Sequence, residues 1–216
     1  MARSFVLWLH GLGDSGPANE PIKTLFTSPQ FRNTKWSFPS APHAPVTCNY
    51  GSIMPSWFDI QEIPVTADSP TDESSLLKAV QNVHATIDRE IAAGTNPNNV
   101  FICGFSQGGA LTLASVLLYP KTLGGGAVFS GWVPFNSSII EKITPEAKQV
   151  LIIFRNIIIL CASSISSYVS LFVKLSLSST LSIFSNCLCI KCLCRNICYM
   201  PPQKYTNPIE KPIYCL

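Results

Sequence analysis

Between two apolar stretches of different period lies the segment Gly104-Phe105-Ser106-Gln107-Gly108-Gly109. Before it, Val100–Cys103 (VFIC) is a short unbroken apolar run, the pattern of a strand buried on both faces. After it, Ala110–Leu118 (ALTLASVLL) reads as the start of a helix. A strand that turns into a helix this abruptly forces the residue at the tip into a strained conformation. The neighbours two positions away on each side must then be nearly free of side chain. Gly104-x-Ser106-x-Gly108 meets that demand. Ser106 is therefore expected at the tip as a nucleophile, with the helix behind it aiming N–H groups and its positive dipole end at a developing oxyanion. A glycine-rich turn with an incidental serine is the bland alternative. The flanking strand and helix decide for the nucleophile.

The rest of the first 150 residues alternates strand and helix. Phe5–Leu9 (FVLWL) predicts a buried strand that ends in the turn His10-Gly11-Leu12-Gly13-Asp14. In a sheet that presents a serine on such a turn, the loop after an earlier strand supplies one oxyanion N–H and the residue after the nucleophile supplies the other. Those backbones are Leu12 and Gln107. His10 reads as a packing residue of that loop, not as a base. Asp72 is placed to cap a helix whose apolar stripe is Leu76, Val80, Val83, Ile87 and Ile91, with Gly94 closing it. Residues 37–57, rich in proline, serine and aromatics, predict a long ordered loop. Gly126–Ser130 is a third apolar strand, closed by Gly131-Trp132. Strands alternating with helices imply an α/β fold with a parallel sheet and right-handed crossovers.

Four segments carry a resemblance: LWLHGLGDSG, SAPHAPVTCNYGSIMPSWFD, GFSQGGALTLASVLLYP and FSGWVPF. Together, and in this order, they resemble the acyl-protein thioesterase/carboxylesterase family, close to its plant members, over about residues 4–149. The resemblance implies an α/β-hydrolase fold and hydrolysis of an acylated protein, a lysophospholipid or a small ester. Carried over by motif, Ser106 is the nucleophile and Leu12 and Gln107 are the oxyanion donors. Trp57 lies near the acyl-binding region of such enzymes; by its residue type alone it is equally a loop aromatic buried for packing. No metal and no cofactor is implied.

The chain departs from this pattern downstream. A hydrolase of this fold orders its triad as serine, then acid, then histidine. After Ser106 there is no histidine and no aspartate, only Glu141, Glu146 and Glu210. Without an imidazole to take its proton, a hydroxyl is a poor nucleophile at neutral pH. His84 falls on a helix packed against the sheet flank and His43 in a proline-bounded loop, so neither is expected to substitute. The expectation is a weak or inactive member of the family, with a non-catalytic mis-spliced product or a membrane-tethered acyl-binding protein as the alternative.

Composition sharpens the boundary. Charged residues are 12% of the 216, against about 25% in ordinary globular proteins. Residues 1–150 hold 9 Lys+Arg and 11 Asp+Glu, whereas residues 151–216 hold 6 and 1. All 12 glycines lie at or before Gly131. We therefore expect a hydrolase unit over residues 1–149, its sheet incomplete, and an atypical Ser/Cys-rich apolar tail over 150–216. Asn156–Val173 is 18 residues without a charge, the least that spans a membrane, but five of them are serine. This leaves weak membrane association through the tail as one expectation. Cys187, Cys189, Cys192, Cys194 and Cys198 could bind a soft metal, yet they lack well-separated C-x-x-C pairs. A frame read through a retained intron fits the tail best. The basic excess carries no aromatic-interleaved stripe, so no nucleic acid is expected. No secretory apolar core follows Arg3, and thiol usage in the front half is sparse, so the cytoplasm is the expected compartment.

Overall fold

The structure is a computed structural model that describes residues 3–155, apart from residues 67, 135–136, 144–146, 148–149 and 151. Its centre is a five-stranded sheet built from β1 (Ser4–Leu9), β2 (Thr34–Ser37), β5 (Val100–Phe105), β6 (Gly125–Phe129) and β7 (Ile152–Arg155). Between β2 and β5 the chain forms a separate hairpin, β3 (His43–Val46) with β4 (Ser52–Pro55). The sheet order is β2-β1-β5-β6-β7, and every pair is parallel. Helix α1 (Gly16–Asn19) is a single turn, α2 (Glu73–Ala92) is the long flanking helix, and α3 (Gln107–Leu118) follows β5 directly.

The long helix forms where its stripe requires. Asp72 caps it, its carboxylate accepting the Ser75 N–H at 3.2 Å. Those hydrogen bonds from Ser74 and Ser75 hold the Asp72 carboxyl below the usual aspartate value. Leu76, Val80, Val83 and Ile87 are buried against the sheet, and Gly94 (φ 98°) continues past the helix end in a conformation that favours glycine. At the amino end of the strands Glu90 is buried under two cations, Arg3 at 3.2 Å and Lys35 at 2.5 Å, with the Thr95 hydroxyl donating to it at 3.3 Å. This ties α2 to β1 and β2. Helix α3 is buried on all sides from Gln107 to Leu117, which is why it reads as uniformly apolar and not striped.

One expectation is corrected: the loop over residues 37–57 contains the β3–β4 hairpin, whose alternation is hidden by prolines at both strands. The last described strand of the sheet is β7 (Ile152–Arg155). Ile152–Arg155 pairs in parallel with Gly126–Phe129, and Ile152 is buried. The apolar start of β7, Ile152-Ile153-Phe154 with two β-branched residues, suits the slot beside β6. The membrane stretch Asn156–Val173, the five tail thiols, Cys161, Glu146 and Glu210 lie outside the described residues.

Ile87 is fully buried beneath the sheet, whereas Lys78 on the same helix is exposed. Ile87→Ala is expected to cost about 2–5 kcal/mol and Lys78→Ala to stay within about 0.5 kcal/mol, read by urea denaturation.

Candidate active site

Parallel pairing decides where the functional turns meet. Leu9 is in register with Gly104, and Phe105 with Phe129, so β1, β5 and β6 end together at one edge of the sheet. The loops that leave this edge start at His10, Ser106 and Ser130. It is the carboxyl edge, where open α/β sheets hold ligands.

Ser106 sits at φ 50° and ψ −117°, a conformation sparsely populated by residues with a side chain. Strain of this kind costs about 1–3 kcal/mol, so the surroundings must hold it. The Ser106 N–H donates to the Phe129 carbonyl at 2.9 Å, and its own carbonyl accepts from the Ala110 N–H at 3.0 Å. The two flanking glycines are sterically obligatory. A Cβ on Gly104 would stand 2.2 Å from the Gly108 carbonyl oxygen, and one on Gly108 would stand 2.1 Å from the Leu9 oxygen. The expected turn is therefore present, with Ser106 half-buried at its tip.

The first loop lies against that tip. A Cβ on Gly11 would be 3.6 Å from the Ser106 Cβ. The Gly13 N–H donates to the Pro55 carbonyl at 2.9 Å, and the Asp14 N–H to the Gly11 carbonyl at 3.3 Å. Among the described residues, the intervening Leu12 N–H has no backbone acceptor. The Gln107 N–H, first in α3, has none within the helix. Two amides without a backbone acceptor thus lie in the two turns that meet here.

His10 is completely buried and fully engaged. Its Nε2 accepts the Ala41 N–H at 2.9 Å, so its Nδ1 carries the proton and donates to the Gly11 carbonyl at 2.7 Å. Burial pushes its pKa below the usual histidine value, against the smaller opposing pulls of the Gly11 carbonyl and Asp14. It is a neutral brace. His84 points its Nε2 at the Ser115 carbonyl, 2.9 Å away, and packs edge-on against Tyr119. Ser115 is nine residues along α3 from Ser106, about 13 Å of helix. His43 is exposed on β3. Among the described residues, no histidine hydrogen-bonds to Ser106. Glu141 is exposed beyond α4 (Ser137–Ile140). Nor does a thiol compete: burial pushes Cys103 up to about 12, and burial next to Asp59 raises Cys48.

Trp57 is half-buried beside the nucleophile turn. Its indole N–H donates to the His10 carbonyl at 2.8 Å, and its ring lies 4.9 Å from the His10 ring. It therefore packs against the His10 loop. What sequence reasoning missed is the Gln107 side chain. It is fully buried, and all its bonds run to one segment, Ser56–Phe58. Glutamine after a nucleophile carries no signature that separates a structural amide from an exposed one. Among the described residues, no cluster of histidine, cysteine or acidic side chains could hold a metal.

A strained serine at a sharp turn between a parallel strand and a helix is a feature of the α/β-hydrolase fold. Residues 1–186 match the phospholipase/carboxylesterase family, and the chain belongs to that family. It is 77% identical over 156 residues to a protein of Arabidopsis thaliana named "Probable carboxylesterase SOBER1-like", a match covering 72% of this chain and 60% of that protein. It is 60% identical over 151 residues to one of Oryza sativa subsp. japonica named "Probable inactive carboxylesterase", covering 69% and 62%. The crystal structure of Arabidopsis thaliana SOBER1 superposes with a TM-score of 0.74 at 61% identity, covering 79% of this chain and 84% of that one. The chain thus spans about 60% of the length of the curated relatives it matches.

Because the folded-state pKa of both His10 and His84 is lowered, unfolding takes up protons below the ordinary histidine value. The stability these residues support is complete above about pH 6.5 and declines as pH falls toward their lowered values. Denaturation midpoints measured from pH 7.5 to 5 are expected to fall, and His10→Gln is expected to flatten that slope in part.

Proposed function

We propose that this chain carries the nucleophile side of a carboxylic-ester hydrolase. Ser106 attacks the acyl carbonyl, the amides of Leu12 and Gln107 receive the oxygen as it becomes an oxyanion, and Trp57 borders the acyl group. The observation that carries this reading is the Ser106 turn: a conformation costing about 1–3 kcal/mol is held in place by two glycines with no room for a side chain. An ester is favoured over a thioester because the relatives most like this chain bear carboxylesterase names. Acylated proteins and lysophospholipids present the same carbonyl and fall in the same class. The cytoplasm is our proposed compartment, supported by the free thiols of Cys48 and Cys103. No helix among the described residues is long and apolar enough to cross a membrane.

Among the described residues no histidine is placed to take the Ser106 proton: His10 and His84 are held by backbone groups elsewhere, and His43 is exposed on β3. Loss of triad members in serine hydrolases lowers turnover by about 10⁴–10⁶, leaving what the oxyanion donors and binding provide. The same observation favours a second reading, a chain that binds acyl groups without turning them over.

Hydrolysis of 4-nitrophenyl acetate by the full chain is expected far below that of a triad-complete relative but about 10³-fold above buffer, falling to the buffer rate in Ser106→Ala. Labelling of Ser106 by a fluorophosphonate is expected to be correspondingly slow. Turnover at the level of a triad-complete relative would refute the missing base. Identical rates for the unmodified chain and Ser106→Ala would sink the nucleophile assignment and leave the non-catalytic reading.

A further inference from the structure

We propose that the Gln107 carboxamide is a positioning residue that fixes the spacing between the two oxyanion amides by clamping the Ser56–Phe58 segment. The inference rests on the reading of Leu12 and Gln107 as those donors, and deepens it. The backbone of Gln107 follows Ser106 directly in the chain, and its side chain is fully buried. There Nε2 donates to the Ser56 hydroxyl at 2.9 Å and to the Phe58 carbonyl at 2.7 Å, while Oε1 accepts the Trp57 N–H at 3.2 Å. The Ser56 hydroxyl itself donates to the Phe58 carbonyl at 2.8 Å. Since the Trp57 amide can only donate and the Phe58 carbonyl only accept, the orientation of the carboxamide is uniquely determined.

A buried amide needs partners wherever it lies, and satisfaction alone would explain a glutamine bonded to scattered neighbours. Here all three bonds converge on three consecutive residues, and the middle one extends the chain. The Trp57 indole N–H reaches the His10 carbonyl, and His10 lies two residues before Leu12. The contacts close a ring: Gln107 amide, Gln107 side chain, Trp57, His10, Leu12 amide. On the far side His10 is anchored by the Ala41 N–H and the Gly11 carbonyl. The spacing of the two donors is thereby fixed before any ester arrives, which is what an oxyanion site requires to be effective. Without the clamp, the two turns are still joined by the β1–β5 pairing and by the contact of Gly108 with the end of β1, but the Trp57 link between them is lost.

The test replaces Gln107 with methionine, which keeps the volume and removes every hydrogen bond, and with glutamate. Hydrogen exchange of the Trp57 indole N–H, followed by NMR in the full chain, is expected to quicken at least about tenfold in Gln107→Met, with β5 amides unchanged. For 4-nitrophenyl acetate, the kcat of the Ser106-dependent reaction is expected to fall about tenfold to a hundredfold with KM within about twofold. In Gln107→Glu, a neutral carboxylic acid retains one donor and one acceptor, so indole protection is expected at low pH and lost as the carboxyl ionises. Unchanged indole exchange in Gln107→Met overturns the clamp. So does exchange that rises equally in β5, because the amide then only stabilises the fold. A fall in kcat without faster exchange also overturns it. Absence of Ser106-dependent hydrolysis in the unmodified chain overturns the esterase reading alone; the exchange result then upholds or overturns the clamp by itself.

Discussion

The first turn of α3 lies so close to the end of β1 that a methyl group on Gly108 would overlap the Leu9 carbonyl oxygen. That approach sets the geometry of the whole site. With α3 pressed down this far, β5 has no room to leave the sheet gradually, and the chain must turn within the single residue Ser106. Parallel pairing of Leu9 with Gly104 then brings the His10–Gly13 turn alongside. The energy that holds the strain is mostly remote from Ser106. It comes from a helix buried on every side, including Leu111, Leu113, Val116 and Leu117, between the sheet and α2. Each such side chain contributes about 1.5–3 kcal/mol on burial, so a strained turn of about 1–3 kcal/mol is easily sustained.

A second consequence concerns polarity. The site edge is assembled from turns, and turns expose backbone groups that a buried location cannot leave unpaired. Three side chains meet that requirement: His10 for Ala41 and Gly11, Gln107 for Ser56–Phe58, and Trp57 for His10. Their partners are backbone atoms, with the Ser56 hydroxyl in addition for Gln107, so the loops are fixed to one another independently of any substrate. The amides of Leu12 and Gln107, which have no backbone acceptor among the described residues, are the ones proposed to receive the oxyanion.

What could be read in the sequence follows from this physics. The three central strands show as unbroken apolar runs because both faces are covered, and α2 shows its stripe because only one face is. Ser106 was legible because a steric rule fixes its neighbours as glycine. The hairpin was not, since Pro45 and Pro55 interrupt an alternation only four residues long. Strand β2 was invisible for a related reason: TKWS at the sheet margin is only partly buried and has no apolar run. The Gln107 side chain could not be foreseen, because its role depends on a segment 50 positions away in the chain.

The clamp also bears on whether His10 could serve as a base. It is the histidine closest in the chain to the site loops, and chain order alone does not forbid the role. To accept the Ser106 proton it would have to withdraw Nε2 from Ala41 or Nδ1 from Gly11. Either leaves a buried backbone group unpaired, at about 1–3 kcal/mol, in addition to the bond itself. The greater loss is geometric. Rotating His10 disrupts its ring contact with Trp57 and the backbone that accepts the Trp57 indole, and so loosens Leu12. A base recruited from His10 would thus loosen the proposed oxyanion site it was meant to serve.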